Sequence, residues 1–139
     1  MDNQSKIELA KKLHDSENYQ ESVKILLELE NLADKEENFK NLLLSHSYFK
    51  LKEFDKSFYY AQILSEKNPK SEFASQLKYL NLVELKKINE ALIEITNFLE
   101  NNKASLYKTT LEELLEDIEK NTIEIYFAQK IIEFAKRDL

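Results

Sequence analysis

The chain contains no glycine and no cysteine, and its 139 residues include a single proline, Pro69. Glycine supplies the positive φ angles and the close backbone approach on which phosphate-binding loops, dinucleotide-binding turns and nucleophile elbows depend. Its absence therefore argues against the enzyme classes that use those loops. Tight β-hairpins also rely on glycine at positive φ, so the composition favours an all-α fold.

Without cysteine the chain has no disulfide, no thiol nucleophile and no thiolate metal site. It also lacks any apolar run of the roughly 18 residues that a membrane-spanning helix requires. Its first residues lead directly into an amphipathic pattern, without the basic and apolar regions of a signal peptide. We therefore expect a cytoplasmic protein that does not associate with membranes.

Basic residues are outnumbered, which gives a net charge of -6. Lysine and arginine together number 20, and Arg137 is the one arginine among them. Nucleic-acid surfaces depend on clustered basic side chains, and arginine is the favoured bidentate ligand of bases and phosphates. We therefore expect no nucleic-acid partner. Hydrophobic residues at 42% and charged residues at 33% indicate one folded domain rather than a disordered chain.

A pattern of helix-packing residues is present three times, with an offset of 35 and then 34 residues. Its columns are Ala10, Ser45 and Tyr79; Leu13, Tyr48 and Leu82; Tyr19, Phe54 and Ile88; and Ser22, Ser57 and Ala91. Within each copy these positions are separated by three or a multiple of about three residues, as on one face of a helix. A period of this length is typical of stacked helical hairpins that bury their apolar faces against one another.

This periodicity predicts a single domain of repeated hairpins, with repeats at about 3–37, 38–71 and 72–105 and a C-terminal hairpin at 106–139. The six repeat helices are predicted at 3–16, 19–32, 36–51, 54–67, 71–86 and 88–101. The C-terminal hairpin has two further apolar stripes, separated by a predicted capping box with Asn121 as N-cap and Glu124 reaching back. We expect this hairpin to cap the stack, since a repeat array needs a polar outer face at its end. The alternative is that its last helix docks a partner.

The second copy matches a helical-hairpin repeat best, with Ser45, Tyr48, Phe54, Ser57, Ala61 and Pro69. In these residues the chain resembles the tetratricopeptide repeat family over about residues 3 to 105. The resemblance implies an α-α superhelix of about four antiparallel helical hairpins, three of them tetratricopeptide-like, whose concave side binds polypeptides. The chain departs from the family where glycine or another small residue is usual, at Tyr79 and in the turns at Glu17, Lys52 and Lys86.

The resemblance also implies which residues line the groove, because the first helix of each hairpin forms the inner side of such a stack. They are Ile7, Lys11 and His14 in the first unit; Phe39, Leu42, His46, Phe49 and Lys50 in the second; and Phe73, Gln76, Leu80 and Val83 in the third. An exposed apolar strip of this kind suits an amphipathic helix or an extended peptide. The alternative is that some of these side chains pack inside the fold or beneath the C-terminal hairpin.

No set of residues in the chain points to catalysis. His14 and His46 are the two histidines, and a two-histidine metal site with Asp15 lacks the further converging ligands that such a site needs. The carboxylates between Leu111 and Ile118 fall on the face opposite the apolar stripe and are explained by solvation. We therefore expect no catalytic residues, no metal and no cofactor.

The composition and the repeat together predict a non-catalytic module or adaptor that binds a peptide or helix of a partner protein in an apolar groove. One alternative is a dedicated inhibitor, immunity protein or secretion chaperone that sequesters one cognate protein. A second alternative is a structural oligomer that pairs its apolar surfaces with copies of itself. The sequence leaves the oligomeric state and the identity of the partner open.

Overall fold

The computed structural model describes all 139 residues, which form eight α-helices and no strand. The helices are α1 (Asn3–Asp15), α2 (Tyr19–Leu27), α3 (Asp34–Lys50), α4 (Phe54–Lys67), α5 (Glu72–Glu84), α6 (Ile88–Asn101), α7 (Lys108–Glu119) and α8 (Ile125–Asp138). Each odd-numbered helix packs on the even-numbered helix that follows it, and α2 and α4 pack on the hairpin that follows them. The predicted all-α fold of four helical hairpins is confirmed. None of the eight helices is both long enough and apolar enough to cross a membrane.

The first helix of every hairpin ends in the same way, at Glu17, Lys52, Lys86 and Asn121, whose φ angles are 65°, 63°, 64° and 61°. In the second hairpin, for example, the N–H of Lys52 donates to the carbonyl of Phe49 at 3.0 Å, and the next N–H donates to Tyr48 at 2.9 Å. This pair of bonds is the Schellman motif, which normally places glycine at the left-handed position. The four positions are 35, 34 and 35 residues apart, so the turn of the fourth hairpin keeps the period.

The prediction that Asn121 is the N-cap of the last helix is wrong. Asn121 occupies the left-handed position after α7, and α8 begins only at Ile125, with Glu124 as its N-cap. The reason is that asparagine is suited both to N-caps and to left-handed C-terminal positions. The sequence Asn121 to Glu124 fits either role, and the 35-residue offset from Lys86 is the signal that distinguishes them.

Glycine, which the chain lacks, should stabilise the left-handed turns. We expect Lys52→Gly to raise the free energy of unfolding by about 1 kcal/mol, because a residue with a Cβ is strained at positive φ and glycine is not. Ser16→Gly is the matched control, since Ser16 also lies at the end of a helix, as the C-cap of α1, but has a φ of -88°. Urea unfolding followed by circular dichroism measures both. A loss of stability in Lys52→Gly as large as that in Ser16→Gly would contradict the turn geometry.

The second helix ends earlier than the sequence pattern predicts. Helix α2 stops at Leu27 rather than near residue 32, and Asn31 has a φ of 57°. Leu29 lies beyond the helix but is still only 3% exposed, and its carbonyl accepts a hydrogen bond from the ammonium group of Lys40 at 3.3 Å. The apolar period therefore continues past the helix, because Leu29 enters the core from a non-helical segment.

The apolar core is divided into two clusters. The N-terminal core cluster belongs to the first three helices and the segment after α2, and consists of Ile7, Ala10, Val23, Leu26, Leu29, Leu43, Leu44 and Tyr48. The C-terminal core cluster belongs to α5 through α8 and consists of Tyr79, Leu82, Ala91, Leu92, Ile95, Phe98, Leu99, Ala104, Tyr107, Leu111, Leu114, Phe127, Ile131 and Phe134. Burial within these clusters supplies most of the driving force for stacking the hairpins.

Between the two clusters, α3, α4 and α5 are joined by buried hydroxyl and amide groups. The hydroxyl of Ser57 donates to the carbonyl of Ser45 at 2.6 Å, and the hydroxyl of Ser45 donates to the carbonyl of Ser57 at 2.9 Å. The amide of Asn81 donates to the Ser57 hydroxyl at 2.8 Å, and all three residues are fully buried. Ser22 bonds to the Ala10 carbonyl in the same way in the first hairpin. The small residues of the repeat therefore serve to bring two helices within hydrogen-bonding distance.

The fourth hairpin packs differently from the others. No Cα atom of α7 comes within 8 Å of α6, and α8 is the helix that approaches α6 instead. Tyr79 stands where the first two hairpins have Ala10 and Ser45, and its ring meets that of Tyr107 edge to face at 6.1 Å. Two aromatic rings between α5 and α7 need more room than small side chains, and they hold α7 away from the preceding hairpin.

Candidate partner-binding surface

The residues predicted to line the groove lie on α1, α3 and α5, the first helices of three successive hairpins. Helix α3 packs against both α1 and α5, so these residues form one continuous surface. We call this surface the inner face. The repeat produces this surface, because equivalent positions of successive hairpins are 34 or 35 residues apart and fall on the same side of the stack.

A pocket of about 330 Å³ opens on the inner face between α3 and α5, where α4 ends. Three predicted groove residues, Phe39, Leu42 and Phe73, form much of its wall. Its remaining residues are Lys35, Asn38, Leu64, Asn68, Ser71 and Ala74. We call it the inner-face pocket. The apolar side chains make its walls, and the lysine, serine and two asparagines supply polar groups.

The apolar groove residues differ in how much of each side chain is buried against a core cluster. Ile7 is only 7% exposed and belongs to the N-terminal core cluster, so it holds α1 in place and offers no surface to a partner. Phe39 and Leu42 are half-buried against the same cluster. Leu80 and Val83 are half-buried against the C-terminal core cluster. The predicted alternative, that some of these side chains pack inside the fold, therefore holds fully for Ile7 and in part for these four.

Phe49 and Phe73 are half-buried, but neither belongs to or packs against a core cluster. The ring of Phe49 rests on that of Phe54 within its own hairpin, at 5.6 Å. The ring of Phe73 lies 6.3 Å from that of His46 and also lines the inner-face pocket. Both residues therefore lie outside the two core clusters, and of the two only Phe73 lines the inner-face pocket.

The polar groove residues are partly tied to one another. Lys11 pairs with Asp15 at 2.7 Å on the exposed side of α1. Gln76 donates from its amide to the carbonyl of Leu106 at 3.5 Å, so it holds the segment before α7. Lys50 is exposed at the end of α3. Among the predicted polar contacts, Lys50 is therefore an exposed lysine that forms no salt bridge.

The two histidines meet on the inner face. Nε2 of His14 lies 2.8 Å from Nδ1 of His46, which joins the first two hairpins by a hydrogen bond. Burial lowers the pKa of His46 below its ordinary value, and the nearby charges of His14 and Lys50 lower it further. No group of three or more histidine, aspartate and glutamate side chains lies close enough to hold a metal ion. The pair is therefore a hydrogen-bonded contact between repeats.

The register of the inner-face residues continues one hairpin further than the sequence prediction placed it, onto α7, although no Cα atom of α7 comes within 8 Å of α5. Leu115 and Ile118 on α7 are half-buried against the C-terminal core cluster, as Leu80 and Val83 are on α5. They follow those two residues by 35 positions each, so the period itself was the signal that could have found them. The apolar stripe to which they belong is instead predicted to be part of a hairpin that caps the stack.

A second, more enclosed pocket of about 280 Å³ lies where the third and fourth hairpins meet. It is lined by Tyr79, Val83, Ile88, Ala91, Leu92, Leu114, Asp117, Thr122 and Ile123. Burial raises the pKa of Tyr79 to about 12, and the carboxylates of Glu113 and Asp117 contribute, so its phenol stays protonated at neutral pH. Tyr79 forms part of the wall of this pocket, beside Leu114 and Asp117 of α7.

No protein-family model, curated protein or solved structure matches this chain. The inner face is therefore characterised by its own geometry, burial and chemistry. Those features are a pocket with apolar walls, a half-buried phenylalanine outside the core, and polar groups at the rim.

Proposed function

We propose that this chain is a non-catalytic protein-binding module of the tetratricopeptide kind, which holds an apolar side chain of a partner polypeptide in the inner-face pocket. The observation that carries this proposal is the position of Phe73. It lines a pocket of about 330 Å³ and is held by neither core cluster. A partly exposed aromatic ring that belongs to neither core cluster is typical of an interaction site.

The shape and chemistry of the pocket favour a side chain as the ligand. Its volume is at the lower end of the range found for small-molecule sites, about 300 to 1,000 Å³, and is sufficient for one large apolar side chain. Such anchors carry most of the binding energy in protein interfaces when they fill a desolvated pocket. The polar residues Lys35, Asn38 and Ser71 at the same pocket offer groups for the backbone of an extended peptide or helix.

The tetratricopeptide assignment rests on two structural repeats. The left-handed turns recur at Glu17, Lys52 and Lys86, and hydroxyl groups join the crossing helices in the first two hairpins. The hydroxyl contacts lie at positions where the sequence resembles the family, and the left-handed turns lie where the family usually has glycine or another small residue. The fourth hairpin differs, and we assign it to covering the C-terminal core cluster.

Phe73→Ala tests the binding proposal. We expect it to reduce recovery of the partner in affinity purification from the native cell by roughly 30-fold, which corresponds to a loss of about 2 kcal/mol for a hot-spot residue. Thermal unfolding should change little, because the ring lies outside both core clusters. Tyr59→Ala is the control, since Tyr59 is an aromatic residue that is 60% exposed on α4, away from the inner face.

Two outcomes would contradict the proposal. Equal recovery of the partner by Phe73→Ala and by the unaltered chain would show that the pocket is not the binding site. Recovery of the chain's own copies alone, with a matching oligomer in sedimentation, would favour the structural oligomer.

A single partner whose activity is blocked in the complex would identify the module as a dedicated inhibitor, which is a special case of the same binding site.

A further inference from the structure

The hydrogen bond between His14 on α1 and His46 on α3 joins two hairpins across 32 residues of sequence. The ring centroids are 5.0 Å apart and the ring planes are tilted by 57°. Helix α2 packs only on α1 and α3, and α1 only on α2 and α3. The first hairpin is therefore held to the rest of the molecule through α3 alone, beside this histidine pair.

The number of protons on the two imidazole rings determines whether the hydrogen bond between His14 and His46 can form. An imidazole to imidazole hydrogen bond needs one N–H group and one nitrogen lone pair. Nδ1 of His14 lies 3.2 Å from Oδ1 of Asp15 and donates its proton there. When His14 is neutral, its Nε2 therefore accepts a hydrogen bond from the Nδ1–H group of His46. After one protonation His14 donates from Nε2 instead, and the bond persists; after a second, two N–H groups face each other and the bond is lost.

The surroundings of His46 oppose the second proton. The rings of Tyr19 from α2 and Phe73 from α5 lie 6.2 Å and 6.3 Å from its own ring. The charged groups that act on His46 are His14 from α1 and Lys50 from α3, and both would repel a positive charge. The pKa of Asp15 is lowered first by its bond to Lys11 and then by its bond to His14, so this carboxylate is already paired and does not offset a charge on His46.

We propose that the His14–His46 hydrogen bond is a pH-sensitive latch, which fastens the first helical hairpin to the second at neutral pH and releases it when both imidazoles are protonated. The device is independent of what the inner face binds. Tyr19 and Phe73 shield the bond from water on two sides, which strengthens it while it is formed and makes a second charge there more costly.

The direction of the pH dependence follows from linkage. The pKa of His46 is lowered in the folded protein, so between that value and the ordinary histidine pKa of about 6.5 the open state binds more protons than the closed state. The stability contributed by the latch is therefore complete above about pH 6.5 and is lost as the pH falls through the folded pKa of His46. The affected unit is α1 and α2, because they contact no helix beyond α3.

Amide hydrogen exchange at pH 7.5 and pH 5.5, corrected for the intrinsic pH dependence of exchange, tests the latch on the full chain. We expect opening of α1 and α2 to increase several-fold at the lower pH, with no comparable change in α6 and α8. His46→Asn is the matched variant, since its amide does not titrate and can donate to Nε2 of His14 or, after rotation, accept from it. We expect this variant to lose the pH dependence. An equal response in both chains, or an equal response in all helices, would overturn the proposal.

The titration of the two histidine ring signals by NMR in the unaltered chain provides a readout that does not depend on a variant folding. We expect His46 to titrate below an ordinary histidine, and to move back toward the ordinary value in His14→Gln. A His46 signal that titrates at or above the ordinary value, or that is unaffected by His14→Gln, would refute the latch.

Discussion

Replacing Ile95 by alanine is expected to lower the free energy of unfolding by about 2 to 5 kcal/mol, the range for removing a fully buried isoleucine side chain. Ile95 is 0% exposed on α6, in the middle of the C-terminal core cluster. The helices around it are fixed by their own turns and cannot close a cavity of three carbon atoms completely. Because single domains are stable by only about 5 to 15 kcal/mol, the variant should unfold at a much lower urea concentration.

Ile93→Ala is the matched control for this prediction. It removes the same atoms from the same helix, but Ile93 is 47% exposed. We expect a change within about 0.5 kcal/mol, as for surface substitutions in general. Urea unfolding followed by circular dichroism measures both variants. If Ile93→Ala destabilised the chain as much as Ile95→Ala, the orientation of α6 in the structure would be wrong.

Arg137→Ala is expected to cost about 2 to 3 kcal/mol, although Arg137 lies near the end of the chain and is partly exposed. Its guanidinium group donates to the carbonyls of Leu99 and Asn102 at 2.9 Å each, which caps the C-terminus of α6. It also pairs with Asp138 at 2.6 Å, a side chain that is only 3% exposed and that accepts from the N–H of Ala104 at 2.8 Å. Removal of the arginine leaves a buried carboxylate without its cation and two helix carbonyls without a donor.

The effect of Arg137→Ala should be largest in the C-terminal hairpin. We expect faster amide hydrogen exchange in α8 than in α4, because the lost bonds join α8 to the end of α6. Arg137→Lys should restore only part of the stability, since an ammonium group cannot reproduce the planar fork that reaches two carbonyls and a carboxylate together. Lys136→Ala, a neighbouring exposed cation, controls for charge. A loss in Lys136→Ala equal to that in Arg137→Ala would show that net charge matters and the specific bonds do not.

The hairpin architecture was predictable because helix crossings and turns impose residue types at fixed spacing. Ser22 and Ser57 are small because two helices approach there, and both hydroxyls bond to the facing helix as that spacing requires. The positions of the left-handed turns were also fixed by the period, although Lys52 does not mark such a turn by its type. The period did not predict where α2 ends. Leu29 occupies the next apolar position of the register and is buried, although it lies beyond the end of the helix.

The candidate site was predictable in position but not in detail. The register placed His14 and His46 on neighbouring helices of one face, and they lie there, but their hydrogen bond depends on rotamers that no spacing determines. The same register placed Ile7 on that face, yet Ile7 is buried in the N-terminal core cluster. Whether a side chain at a given position is covered depends on the angle between hairpins, and this angle is set by all the contacts together.

The most direct test of the central claim, that the inner face binds a polypeptide, is amide hydrogen exchange of the full chain with and without the protein that co-purifies with it. The account predicts that binding protects residues 39–49 of α3 and 73–83 of α5, around the inner-face pocket, and that Phe73→Ala abolishes this protection. Protection confined to the second helices of the hairpins, α2, α4 and α6, with the inner face unchanged, would contradict it.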